Sequence, residues 1–90
     1  MIMDYLLFTY PNCQKCADLK TYMKGAALSA REYKVEEKEG RLKIREFLAH
    51  IKRDEKGAII LPTLVLQESG AVAAVVNTRQ ELEDWLRSKG

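Results

Sequence analysis

Cys13-Gln14-Lys15-Cys16 is the part of this chain whose residue types and spacing point to chemistry. Residues 5–9 (Tyr-Leu-Leu-Phe-Thr) read as a buried strand and Tyr10-Pro11-Asn12 as a turn. After them Cys16, Leu19, Met23 and Ala26 or Ala27 recur at helical spacing. Cys13 therefore falls at or next to a helix N-terminus, with Cys16 one turn further in on roughly the same face. Unpaired backbone N–H groups and the positive end of the macrodipole favour a thiolate over a thiol there. The thiolate is the form that attacks a disulfide, so the chemistry indicated is thiol–disulfide exchange.

The elements that position this pair follow from periodicity and turn residues. A second strand is predicted over 30–36, where Tyr33 and Val35 alternate with charged residues, after a break at Gly25 and Leu28-Ser29-Ala30. A charged turn ending at Gly40 leads into an amphipathic helix with Leu42, Ile44, Phe47, Leu48 and Ile51 on or near one face. Asp54-Glu55-Lys56-Gly57 interrupts the chain again. Residues 63–66 read as a strand, Glu68-Ser69-Gly70 as a hairpin turn and 71–76 as the antiparallel partner. Thr78-Arg79-Gln80-Glu81 matches a capping box and opens a last helix whose core face is Leu82, Trp85 and Leu86. The first half is a βαβ unit with parallel strands and the second a ββα unit. Together they predict an α/β fold: one four-stranded mixed sheet with helices on both faces, in a single domain over 1–90.

Composition narrows the classes of function. A net charge of +2, with basic residues interleaved with acids over 31–39, forms no basic stripe and argues against nucleic acid. The Met1-Ile2-Met3-Asp4 start has no basic n-region before an apolar core, so no secretory leader is read there. The longest apolar run, residues 58–66, is broken by Pro62 and is too short to span a bilayer. Two cysteines are too few for a secreted disulfide scaffold, which makes the cytoplasm the expected location.

Ile60-Leu61-Pro62-Thr63-Leu64 places a proline directly before the third strand, where a residue without an N–H is tolerated. With Phe8-Thr9-Tyr10-Pro11-Asn12-Cys13-Gln14-Lys15-Cys16 and Leu61-Pro62-Thr63-Leu64-Val65-Leu66, the chain resembles the glutaredoxins of the thioredoxin superfamily. The resemblance implies a thioredoxin-like fold and a dithiol–disulfide oxidoreductase of protein or small-molecule disulfides. In it Cys13 is the attacking thiolate, Cys16 the resolving thiol, and Pro62 the cis-proline beside which substrate backbone docks at Leu61. Tyr10 stands where many members carry a lysine, and Lys15 puts a positive charge inside the loop instead. Glutathione-binding members have a Gly-Gly before the last helix; here Val75-Val76-Asn77-Thr78-Arg79-Gln80-Glu81 has none. Asn77 and the N–H groups capped by Thr78 are the candidates to receive a carboxylate. The expectation is no prosthetic group and poor turnover by glutathione, with a thioredoxin-reductase-type or other protein donor working better.

Two other readings compete. Tyr10-x-x-Cys13-x-x-Cys16 is also similar to the start of arsenate-reductase and Spx-type chains, but the Leu61-Pro62 pair and short length differ from that pattern. A metal- or iron–sulfur-binding or redox-sensing module is the alternative class. His50 is the one further soft ligand, so a closed four-ligand site of cysteine and histidine would need a second chain.

Overall fold

The computed structural model describes residues 3–89, and its sheet is built outward from strand β1 (Met3–Thr9). Met1, Ile2 and Gly90, which the leader and single-domain expectations included, lie outside the described residues. Leu6, Leu7, Phe8 and Thr9 are all buried, so β1 has protein on both faces and occupies the middle of the sheet. It pairs in parallel with β2 (Arg31–Lys34) and antiparallel with β3 (Thr63–Glu68), which pairs antiparallel with β4 (Ala71–Val76). The order is β2-β1-β3-β4, the predicted mixed sheet. Ser69 and Gly70 link β3 to β4 with φ of 52° and 86°, the left-handed pair that a two-residue hairpin turn demands.

One face of the sheet carries Leu7, Leu64 and Leu66 against α1 (Gln14–Gly25) and α3 (Arg79–Lys89), through Leu19, Met23 and Leu82. On the other face Leu6, Phe8 and Val65 meet Ile44, Phe47 and Ile51. Phe8 stacks on Tyr33 with ring centroids 5.4 Å apart and meets Phe47 at 6.2 Å, within the range of favourable aromatic pairs.

Two local expectations need correction. The predicted amphipathic helix is a short α2 (Lys38–Ile44) that tightens into a 3₁₀ turn over Arg45–Phe47. The three-residue period of that turn changes which side faces the sheet. Ile44, Phe47 and Ile51 fill the space over Phe8, while Leu42 (51% exposed) and Leu48 (42%) point outward. Gly40 does not end a turn but lies buried inside α2, where a Cβ would run into the backbone carbonyl of Lys34. The expected break at Gly25 holds, since α1 ends there, and the left-handed residue beyond it is Ala27 (φ 58°). The bonds Leu28 N–H to Met23 C=O (2.8 Å) and Ala27 N–H to Lys24 C=O (3.2 Å) form a Schellman closure around it. Strand boundaries differ as well: β2 is shorter than 30–36, and β3 runs two residues beyond 66.

Register fixes which loops share an end. Thr9 lies opposite Lys34, Phe8 opposite Thr63, and Leu64 opposite Val76. The turn after β1, Pro62 before β3 and Asn77 after β4 therefore gather at one end of the sheet.

Candidate active site

At that end the chain leaves β1 through Tyr10, exposed at 56%, and turns at Asn12, whose φ of 57° suits an asparagine. Cys13 then takes an extended conformation as the N-cap of α1. Its Sγ accepts the amide N–H of Cys16 at 3.1 Å, the position an N-cap oxygen usually fills. Cys13 and Cys16 are joined as a disulfide, with their Cα atoms 5.2 Å apart. The two sulfurs are unequally placed: Cys13 is half-buried, whereas Cys16 is 3% exposed and sits on the core side of the helix.

A groove of about 560 Å³ opens beside the pair, lined by both cysteines and by Thr9, Lys20 and Glu32. The Thr9 hydroxyl, at the buried end of β1, donates to Glu32 Oε2 at 2.7 Å, and Lys20 Nζ lies 3.3 Å from the same oxygen. The Thr9 hydrogen bond holds the Glu32 carboxyl below its ordinary range; partial burial opposes this and Lys20 reinforces it. Sequence reasoning missed these three residues. Twelve positions separate Lys20 from Glu32, and only the pairing of β2 with β1 brings Glu32 beside Thr9, so no local pattern marks them.

Lys15 is exposed and shares a second cleft with Thr78 at the start of α3, together with Asp18, Arg79 and Glu83. That cleft mixes both signs of charge. Thr78 caps α3 by accepting the Glu81 N–H at 3.1 Å. The Glu81 carboxylate reaches back to the Asn77 N–H at 2.8 Å, one residue earlier than a capping box would place it. Lys52 Nζ holds the other oxygen of Glu81 at 2.8 Å. Burial pushes the Glu81 carboxyl up, but the hydrogen bonds from Lys52 and the Asn77 amide outweigh it and leave it below its ordinary value. The Asn77 side chain, 4% exposed, turns inward. Its Nδ2 donates to the carbonyls of Ile60 and Pro62, each at 3.0 Å.

The Leu61–Pro62 peptide bond is cis. Leu61 is half-buried against the Phe8 cluster and Pro62 is buried. Of the eight residues singled out from sequence, register brings Tyr10, Cys13, Pro62 and Asn77 to the same end of the sheet, with their neighbours Cys16, Leu61 and Thr78. Lys15 joins Thr78 across the second cleft. His50 is exposed in the turn after the 3₁₀ segment. Among the described residues no group of three or more His, Cys, Asp or Glu side chains is placed to hold a metal ion.

No family model matches this sequence, and no curated protein sequence does. Solved structures do. The thioredoxin-like protein BC3987 superposes with a TM-score of 0.59 at 21% identity, covering 90% of this chain and 97% of its own. Glutaredoxin 1 from Francisella tularensis gives 0.60 at 11% identity, over 97% and 99%. The periplasmic thioredoxin SoxS from Paracoccus pantotrophus gives 0.56 at 14%, over 97% and 94%. The chain has the thioredoxin-like fold. Its Cys-x-x-Cys pair heads the first helix of that fold, and no helix among the described residues is long and apolar enough to cross a membrane.

Proposed function

We propose that this protein is a glutaredoxin-like thiol–disulfide oxidoreductase that reduces protein or small-molecule disulfides through Cys13 and Cys16. The observation that carries the reading is the position of Cys13, whose sulfur caps α1 while bonded to Cys16. An amide that donates to a neutral sulfur donates more strongly to an anionic one. Opening the disulfide therefore yields a Cys13 thiolate in a place already built to hold it.

The cycle balances with the two sulfurs alone. The Cys13 thiolate attacks one sulfur of a substrate disulfide, and the other substrate sulfur departs as a thiolate that takes a proton from water. Cys16 loses its proton to water in the groove and attacks Cys13 Sγ. The Cys13–Cys16 bond forms, the mixed disulfide breaks, and the second substrate sulfur leaves and is protonated. Two electrons and two protons have passed from the dithiol to the substrate. Tyr10 supplies an exposed ring beside the site, and Leu61 and Pro62 supply the edge along which a polypeptide lies. A donor must then return the pair to its reduced state, which fits a reducing, cytoplasmic setting.

Glutathione is a poor donor in this reading. Thr78 and Lys15 border a cleft that a free carboxylate can enter, but Asp18 and Glu83 line it too, and the neighbouring Asn77 N–H is already taken by Glu81. A thioredoxin-reductase-type or other protein donor is expected instead. The test is to mix reduced Cys16→Ser with a peptide disulfide and weigh the product. A stable one-to-one mixed disulfide on Cys13 supports the assignment; recovery of unmodified protein contradicts it.

A further inference from the structure

Asn77 sits at the centre of a closed ring of polar contacts that the cysteine chemistry does not use. Its backbone N–H goes to Glu81, Glu81 to Lys52, and the Lys52 carbonyl accepts the Ile60 N–H at 3.2 Å. The Asn77 carboxamide closes the ring on the Ile60 carbonyl and reaches past it to that of Pro62. A carboxamide nitrogen has two hydrogens, and here they face three acceptors, the two carbonyls and the Thr63 hydroxyl oxygen at 3.3 Å. Thr63 helps from the same side, its hydroxyl donating to the Ile60 carbonyl at 2.6 Å. The orientation of the amide is determined, since turning it over would set its oxygen against two carbonyl oxygens. Asn77 Oδ1 is buried without a partner, an arrangement that costs stability and gives nothing back locally.

The ring grips the residues on both sides of Leu61 and leaves Leu61 itself between them. Among the described residues the Leu61 backbone has no hydrogen-bond partner, while its side chain is anchored against the Phe8 cluster. Extending the register of β1 and β3 by one residue sets Pro62 beside Thr9, so Leu61 lies just beyond the paired strands, at the end of the sheet that carries Cys13. An unpaired backbone N–H and C=O held in place at the end of a sheet is a ready partner for an added extended segment.

We propose that Asn77 is a positioning residue for polypeptide substrates: by holding the carbonyls of Ile60 and Pro62 it fixes the Leu61 backbone as the docking edge for an extended peptide beside the dithiol. The inference rests on the oxidoreductase reading and names the substrate class of that site. A small disulfide with no peptide backbone makes no use of this edge, and that difference supplies the test.

Reduction of an intramolecular peptide disulfide and of an aromatic low-molecular-weight disulfide is measured for wild type, Asn77→Ala and Asn77→Ser. Loss of one or two backbone hydrogen bonds to substrate lowers the ratio of the two kcat/KM values by about tenfold, mostly through KM. Equal losses on both substrates would overturn the proposal and make Asn77 a general structural residue. Wild-type protein that reduces neither substrate would instead sink the oxidoreductase reading itself. If both variants unfold at the assay temperature, hydrogen exchange on the Cys16→Ser mixed disulfide with the peptide decides. Slowed exchange at the Leu61 amide, with protected Asn77 carboxamide protons, supports the role; an unchanged Leu61 amide overturns it.

Discussion

The amide of Cys16 donates to the sulfur of Cys13 at 3.1 Å, so the buried member of the pair supplies the N–H that will hold a thiolate on its half-buried partner once the disulfide opens. This asymmetry sets the order of events. Cys13 is expected to alkylate first, and its rate in Cys16→Ser should inflect well below the pH of a free thiol. Faster labelling of Cys16, or an inflection at the free-thiol value, would contradict the assignment. Cys13→Ser should lose all exchange activity.

Backbone geometry gives a pair of stability predictions with opposite signs. Gly40→Ala would ordinarily strengthen a helix by about 0.8 to 1 kcal/mol. Here the added methyl meets the Lys34 carbonyl, and the expected result is a loss of roughly 1 to 3 kcal/mol. Ala27→Gly should stabilise by about 0.5 to 1 kcal/mol, because Ala27 holds a left-handed conformation that glycine adopts freely. Urea midpoints of the two variants check both signs.

The element order and the dithiol were legible in the sequence because they rest on local signals. Apolar runs, the Ser69-Gly70 turn and the Thr78 cap each act within a few residues. The exposure of Leu42 and Leu48 was not legible, since it depends on where α2 tightens against a sheet face already filled by Ile44 and Phe47. The Thr9–Glu32–Lys20 cluster was hidden for a related reason: strand pairing creates it. Asn77 stood out only for standing where glycine was expected, and its inward turn follows from two carbonyls contributed by a different segment.

Glu32 and Glu81 both have carboxyls held below the ordinary value of 4.5. A depressed folded-state value means that their contribution is complete above the unfolded value and lost as pH falls through the folded one. The melting temperature of wild type should therefore drop below about pH 4.5, and the drop should be shallower in Glu32→Gln. An identical pH profile for the two proteins would remove Glu32 from the account. The same variant deletes a negative charge facing the dithiol groove. A unit charge across a wet groove is worth roughly 0.5 to 1 kcal/mol, so the Cys13 alkylation inflection should move down by about 0.4 to 0.7 pH units.

Donor preference follows from the occupied start of α3. Wild type, oxidised at Cys13–Cys16, should be reduced slowly by millimolar glutathione and faster by a thioredoxin-reductase-type donor at matched driving force. Glu81→Ala frees the Asn77 N–H and should narrow the gap by about twofold to fivefold, the worth of one exposed carboxylate at a helix N-terminus. Fast, saturable reduction of wild type by glutathione would reverse this part of the account.

Thiol balance tests the central claim most directly. Fully reduced protein is mixed anaerobically with excess peptide disulfide, and protein thiols, peptide thiols and protein mass are measured together. Cys13–Cys16 chemistry predicts that each chain loses two thiols and two mass units, with two peptide thiols appearing and no adduct remaining. Protein that keeps both thiols while the peptide stays oxidised, or that carries its cysteines on a bound metal and does not exchange, would contradict it.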